Sequence, residues 1–400
     1  MKMKNVLIVF PFEMKNKPFS GGIFKATLNL IKFFEENNWN IDLYIPLKNK
    51  GIKDFLDSNE YKVNVLMENF DVPRRYKDSP FFIRIFESSA SVLKFMKSSK
   101  KIEKVLNNNY NMIYFQEMLG IWFLKYVNNP KTKKVVHIHS YRFLESFIIR
   151  NIVKYKIDNY ANLAISPTNS ILEKLNLNKA KTFVVKTPYN SKNLISYDYK
   201  INQYFINKKN KLKFSYIGRI NSIKRIDLFL KAMILLGKKY LNKVEFDIVG
   251  VPNTKGDRKY LNKLKSIIFY NKLENNVNFL GYIEDIERYL KEKVNFGVLL
   301  TKSEAISMAG LEFVFNNIPV IAFDVPGNNE LLEDAKGGVL IHDGDIQALS
   351  ENIKKIIDNE NFSISLIKSC EERKKLFSYN KFSDEMKKIL IEISGNKSSK

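Results

Sequence analysis

Short apolar runs alternate along this chain with longer stretches in which apolar residues return every three or four positions, and the two periods predict strands and helices in turn. NVLIVF leads through FSGG into IFKATLNLIKFFEENN, and IDLYIPL follows. MIYFQE, VVHIHS and NLAISP repeat the strand pattern, with helical patterns between them. A second series begins at KLKFSYIGRI and continues through VEFDIVG, VNFLGYI, VNFGVLL, PVIAF and GGVLI. Strands that alternate with helices imply parallel βαβ units. INQYFINKKNKLK, between the two series, is polar and basic without clear period and reads as a linker. The expected fold is α/β, with two doubly wound domains over residues 1–205 and 212–375 and a cleft between them. ERKKLFSYNKFSDEMKKILIEIS reads as a last helix, with GNKSSK fraying beyond it.

Composition narrows the class without choosing the partner. The 400 residues suffice for two domains with a core each, and 45% hydrophobic with 27% charged residues is a globular balance. Lysine and arginine number 66 against 42 aspartates and glutamates, a net charge of +24 that favours nucleic acid, an acidic membrane face or phosphorylated ligands. Lysine, asparagine and isoleucine are abundant throughout, so the excess also reads as compositional habit. No RNP-like motif, zinc finger or Cys/His cluster accompanies it, and no nucleic-acid partner is expected. Cys370 is the only cysteine, which excludes an intramolecular disulfide and suits a reducing cytosol. Glu13 closes the first apolar run with no small-residue cleavage site after it, so that run reads as a strand and not a signal peptide.

No run of about 18 apolar residues occurs, and the expected location is cytoplasmic. In SPFFIRIFESSASVLKFMKSSKKIEKVL, residues Phe81, Phe82, Ile85, Val92 and Met96 fall near helical spacing, with Lys94, Lys97, Lys101 and Lys104 on a largely separate face. That is the pattern of a helix peripheral on an anionic membrane surface, the inner face of the cell membrane. It is equally the pattern of a helix packed on a core.

The candidate chemistry gathers after strands. Glu304 and Glu312 have seven residues between them in KSEAISMAGLEFVF. On one helix that spacing spans about 12 Å of axis and about 80° of azimuth, so the carboxylates would hold two ends of one extended ligand. Thr301 and Ser303 read as turn and N-cap signals after the VNFGVLL strand, which puts the pair at a strand's carboxyl end, where open α/β sheets bind ligands. In SYIGRINSIKRID, Gly218 lets the chain turn, and Arg219 and Lys224 project beyond the strand. Arginine grips a phosphate with two hydrogen bonds, and lysine acts as a point charge. Arg225 is less well placed than Arg219, and a solvated basic loop also explains all three. Ser20, Gly21 and Gly22 make a glycine turn feeding a helix, a site for phosphate or carboxylate that matches neither GxGxxG nor GxxxxGK[ST].

His137 and His139 alternate along one strand and share a face, without the further ligands zinc needs, so no metal is expected. His139, at the strand's end, is placed to hydrogen-bond a sugar or move a proton; His137 reads as packing. Gln116 and Glu117, closing MIYFQE, stand on the same rim. In PGNNELLED, Gly327 gives backbone freedom and Glu330 lies near a helix start; contact with hydroxyls or phosphate and plain helix capping explain this loop equally well.

The early GG, the GR…K after a central strand, and the glutamate pair followed by NNIPVIAFDVPGNNELL resemble the family 4 glycosyltransferases of the GT-B fold, most closely over residues 214–357. The resemblance implies a C-terminal donor-binding domain and an N-terminal acceptor-side domain onto which the 376–394 helix packs back. It assigns Arg219 and Lys224 to the donor diphosphate, Glu312 to the nucleotide ribose and Glu304 to the transferred sugar. Gly22, Ser307, Met308 and Glu330 join them as donor-binding residues, with Glu304 and His139 in catalysis and Gln116 and Glu117 facing the acceptor. It further implies a retaining, metal-independent hexosyltransferase with no cofactor. The partners are a nucleotide-diphosphate sugar as substrate and a glycan or lipid-linked acceptor of cell-surface polysaccharide synthesis. Ala305, Ile306 and Ser307 stand where the family has Gly-Phe-Gly, and the strand-end histidine expected near Gln116 is missing, with His139 as its substitute. A sugar-nucleotide epimerase of the same fold and a non-catalytic basic protein binding nucleic acid or anionic lipid remain the alternatives.

Overall fold

The computed structural model describes residues 3–11, 22–68, 99–139, 141–189 and 195–394. The chain divides into two compact units, Met1–Pro188 with Tyr379–Lys400, and Tyr189–Ser378. In the first unit the strands are β1 (Lys4–Val9), β2 (Trp39–Pro46), β3 (Asn64–Glu68), β4 (Met112–Gln116), β5 (Lys133–His137), β6 (Leu163–Ser166) and β7 (Lys181–Val184). They form one parallel sheet in the order β3-β2-β1-β4-β5-β6-β7. Val6 and Ile8 of β1 meet Phe24, Ile31 and Phe34 of helix Gly22–Glu36 in its core. Helix Tyr379–Ser394 adds Phe382, Met386 and Ile389 to that core, with the Phe382 ring 6.1 Å from Phe33.

The second unit repeats the plan with β8 (Leu212–Ile217), β9 (Val244–Val249), β10 (Val277–Gly281), β11 (Phe296–Leu299), β12 (Val320–Phe323) and β13 (Gly338–Ile341). Their order is β10-β9-β8-β11-β12-β13, again parallel throughout. The central strands of both sheets are largely buried on both faces, which is why they read in the sequence as mostly apolar runs. β3 and β7 escape that reading because they are half-exposed edge strands with mixed composition. Among the described residues no helix is long and apolar enough to cross a membrane. The amphipathic pattern around Phe81–Met96, like Ser20 and Gly21, lies outside the described residues.

The expected linker is instead mostly helix. Tyr197–Lys208 is helical, opened by Ser196, whose Oγ accepts from the Tyr199 amide at 3.2 Å. Its polar composition hides two buried anchors. Tyr204 is fully buried and donates to the Ile356 carbonyl at 3.2 Å. Lys200, 3% exposed, donates to the carbonyls of Leu290 (2.5 Å), Lys291 (2.8 Å) and Val294 (3.1 Å), which end helix Ile286–Lys293. A cation there satisfies orphan carbonyls and complements the helix dipole. Burial nevertheless pushes its ammonium down to about 7.

Replacing Lys200 with Met leaves those carbonyls unpaired and is expected to cost about 1–3 kcal/mol, read by urea denaturation at pH 7. The folded chain gives up the Lys200 proton near pH 7, whereas the unfolded chain keeps it until near 10.5. The unfolded state therefore binds more protons in that window, and the stability of the wild type relative to the Met variant rises with pH across it. A parallel pH dependence in the two proteins would refute the burial argument.

Candidate active site

In the second sheet the strand order reverses between β8 and β11, which pair at Phe214 with Phe296 and Ser215 with Gly297. Connections leave these neighbours in opposite directions, so a crevice opens at their carboxyl ends. The sequence puts its candidate cations after β8 and Glu304 after β11, and topology makes them neighbours. Gly218, at φ +147°, turns the chain at the end of β8. Tyr216 Oη then donates to the Arg219 carbonyl at 2.8 Å, and the Arg219 guanidinium lies 3.9 Å from Asp257. Asn221 caps the 3₁₀ turn Ser222–Lys224, its Oδ1 accepting from Ile223 and Lys224 amides at 3.1 and 3.3 Å. That turn carries Lys224 across the crevice into an ion pair with Glu304. The Lys302 amide donates to the Ile223 carbonyl at 2.9 Å, so the two loops are also joined through backbone.

Glu304 is not on the helix that bears Glu312. The helix runs Met308–Phe315 and is capped by Ser307, whose Oγ accepts from the Gly310 amide at 3.2 Å; Thr301 and Ser303 lie upstream in the loop. The 12 Å helical separation therefore does not apply, because Ser307 is the better cap, with extended backbone at φ −72° and ψ 119°. Glu312 is half-buried on the second turn, close enough to Tyr189 that burial first, then the Glu312 and Glu287 charges, raise the Tyr189 phenol above its usual range.

Two features lock the Glu304 loop in place. A Cβ on Gly327 would fall on the Ala305 carbonyl, so glycine is what lets helix Pro326–Leu331 pack against this backbone. Asn328, buried in the same helix, donates to the Leu299 and Phe323 carbonyls at 3.2 and 3.1 Å and ties the ends of β11 and β12. Glu330 is the fifth of six residues, at the far end of that helix and not near its start, and its carbonyl accepts from Arg373 at 2.6 Å. Arg225 also serves structure: at φ +51° it donates to the Leu300 and Thr301 carbonyls at 2.8 and 3.0 Å and pairs with Asp343. Asn221, Tyr216 and Asn328 were not singled out from sequence; the Asn221 capping position three residues before Lys224 was the available signal.

The first unit gathers a second cluster beside its own reversal, between β1 and β4. His139 Nε2 lies 2.8 Å from Gln116 Oε1, and the His139 amide donates to Glu117 at 3.1 Å. Glu117 holds the left-handed conformation at φ +61°, an arrangement that non-glycine residues adopt at a cost. The His137 and His139 rings stack at 3.8 Å, on the shared face the alternation predicts. Burial pushes His139 down to about 3 and His137 well below its usual range, the latter helped by His139. His137 is engaged by Tyr114 Oη at 2.7 Å. Gln116 is fully buried, and its Nε2 has no hydrogen-bond partner among the described residues. Gly22 opens helix Gly22–Glu36 after β1.

This geometry has relatives. Residues 200–376 match the family described as glycosyl transferases group 1. An uncharacterized glycosyltransferase of Methanocaldococcus jannaschii is 23% identical over 387 residues, spanning 94% of this chain and 96% of that one. The poly(ribitol-phosphate) alpha-N-acetylglucosaminyltransferase of Staphylococcus aureus is 25% identical over 266 residues, 65% of this chain and 51% of that protein. The crystal structure of Anabaena HepE in complex with UDP-glucose superposes with a TM-score of 0.69 at 16% identity, covering 97% of this chain and 99% of that one. The chain has the GT-B fold, and its residues 200–376 match the glycosyl transferases group 1 family.

Proposed function

We propose that the chain moves a sugar from a nucleotide-diphosphate sugar to a hydroxyl of a glycan or lipid-linked acceptor, with retention of configuration and without a metal. The observation that carries this reading is the meeting of Arg219, Lys224 and Glu304 at the β8–β11 reversal, with Glu312 on the helix that follows. Arg219 and Lys224 supply positive charge for the leaving diphosphate, electrostatic stabilisation where charge develops. When Lys224 turns to phosphate, Glu304 is released to face the sugar, while Glu312 accepts from the ribose diol. The glycosidic bond to the diphosphate oxygen breaks, and the acceptor oxygen bonds the anomeric carbon on the same face. The acceptor proton passes to the departing diphosphate.

His139 belongs to this reading as a neutral hydrogen-bonding group, not a proton shuttle, because its low pKa leaves it uncharged throughout the physiological range. Gln116, fully buried, holds the His139 ring through its Oε1. The Staphylococcus relative, by its name a transferase onto poly(ribitol-phosphate), supports a polymer acceptor and a role in cell-surface polysaccharide assembly. HepE's UDP-glucose supports a uridine nucleotide as first choice of donor.

UDP, GDP and ADP are to be compared in thermal denaturation. The cognate nucleotide at about a hundred times its Kd adds about 2.7 kcal/mol, and failure of all three to stabilise the chain contradicts the proposal. Nucleoside diphosphate is expected to leave a sugar donor only when acceptor is present. Glu312→Gln is expected to raise donor KM about tenfold with little change in kcat, from loss of a charge-assisted hydrogen bond. Glu304→Gln is expected to lower kcat about a hundredfold at nearly constant KM; the opposite division would overturn the assigned roles. The His139 imidazole resonances should hold their neutral positions from pH 8 down to pH 5, and a titration step inside that range would restore proton transfer as its role.

A further inference from the structure

Asp257 has no part in the proposed chemistry, yet its carboxylate stands 3.9 Å from Arg219 Nε. Strand pairing brings the two together. β8 and β9 run parallel with Ile217 opposite Val249, so their carboxyl ends are neighbours. The loops beyond stay joined, the Gly218 amide donating to the Val249 carbonyl at 3.0 Å and the Ile220 amide to the Val251 carbonyl at 3.3 Å. Arg219 lies between those two bonds. Helix Lys255–Tyr270 begins four residues after Val251, and its first turn carries Asp257 to the guanidinium.

Local bonds fix that carboxylate. Thr254 caps the helix, its Oγ1 accepting from the Asp257 amide at 3.1 Å, and Asp257 Oδ2 accepts in turn from the Asn253 amide at 3.2 Å. The same oxygen faces Arg219. The Asp257 side chain is 14% exposed and that of Arg219 40%, so the acid is anchored and the base reaches into solvent. An acid in the first turn of a helix is stabilising by itself, but that role needs no guanidinium beside it. The backbone end of Arg219 is held too, its carbonyl accepting from Tyr216 Oη at 2.8 Å.

Arginine grips phosphate through two parallel N–H groups. With a carboxylate at Nε, the edge formed by Nη1 and Nη2 is the one left for that grip. A long side chain confined beforehand also loses less freedom when a ligand binds. We propose that Asp257 is a positioning residue for donor binding: it holds Arg219 so that the terminal nitrogens meet the diphosphate. An exposed ion pair adds little stability, so the gain lies in placement. That role rests on the proposed function, in which Arg219 faces the diphosphate; the hold on Arg219 does not.

The test titrates the full chain with UDP, GDP and ADP and with their nucleosides, and follows the Arg219 Nε–H resonance, assigned by its loss in Arg219→Ala, without ligand. Asp257→Asn keeps an oxygen for the Asn253 amide, and its unfolding midpoint checks that the fold stands. It should weaken the diphosphate that binds by about threefold to tenfold, leave the nucleoside unchanged and move the Nε–H resonance. In the Arg219→Ala background the same substitution should change nothing further. Equal losses for diphosphate and nucleoside, or the full loss without Arg219, make Asp257 a helix cap only and overturn the inference. Tighter diphosphate binding by Asp257→Asn overturns it as well, the carboxylate then being a competitor of phosphate. Should the wild type bind none of the three diphosphates, the proposed function falls and the resonance alone decides: moved in Asp257→Asn, it upholds Asp257 as the residue that holds Arg219; unmoved, it overturns the inference.

Discussion

Parallel pairing of β8 with β11 is the constraint on which the candidate donor site depends. These strands are far apart in sequence, and only the reversal of strand order makes their carboxyl ends adjacent. Arg219 and Lys224 leave one end and Glu304 the other. The Lys224–Glu304 ion pair is thus a product of topology, and it brings together opposite charges that no local motif joins. Partly exposed pairs of this kind contribute little to stability. Their value is positional: each charge holds the other in the crevice until a more strongly anionic group competes for the cation.

The loops around that pair are held more firmly than the pair itself. Asn221 fixes the turn before Lys224, and the Lys302 amide stitches it to the Glu304 loop. Gly327 brings a helix down onto the Ala305 backbone, and Asn328 and Arg225 bind the strand ends by their carbonyls. Arg225 does so from a left-handed backbone, a local cost sustained by its hydrogen bonds and its position 5.0 Å over the Phe323 ring. A site that must oppose charge across a gap needs such fixed supports, because preorganised groups do not have to be reorganised as the reaction proceeds.

The six strands of the second unit were legible in sequence because each is a mostly apolar run, from KLKFSYI to GGVLI, the four inner strands being largely buried and the edge strands β10 and β13 only in part. β3 and β7 were not, since NVLME and KTFV are short edge strands of mixed composition. Helix Tyr197–Lys208 was hidden by composition: its lysines and asparagines suggest a linker, and only the tertiary partners of Tyr204 and Lys200 reveal two buried positions. Sequence motifs pointed to Arg219, Lys224, Glu304 and Glu312 as candidates but not to the supports Tyr216 and Asn328, whose partners are backbone carbonyls that no motif records.

The two glutamates began as equals separated by a fixed helical distance, and the cap at Ser307 separates their physics. Glu312 sits on the second turn of a helix capped by Ser307, so its backbone is placed before any ligand arrives. Glu304 sits on a loop, five residues beyond β11, and depends on Lys224, Gly327 and the backbone stitch for its place. The family's Gly-Phe-Gly gives way here to Ala305, Ile306 and Ser307, but Ser307 is extended at φ −72° and contributes a cap that glycine lacks. The departure therefore strengthens the start of the Glu312 helix, while the Glu304 loop is held by Gly327 and the Lys302 amide. Both glutamates are thereby placed by backbone and not by the ion pair alone, the one by its helix cap and the other by a loop packed under Gly327 and stitched by Lys302.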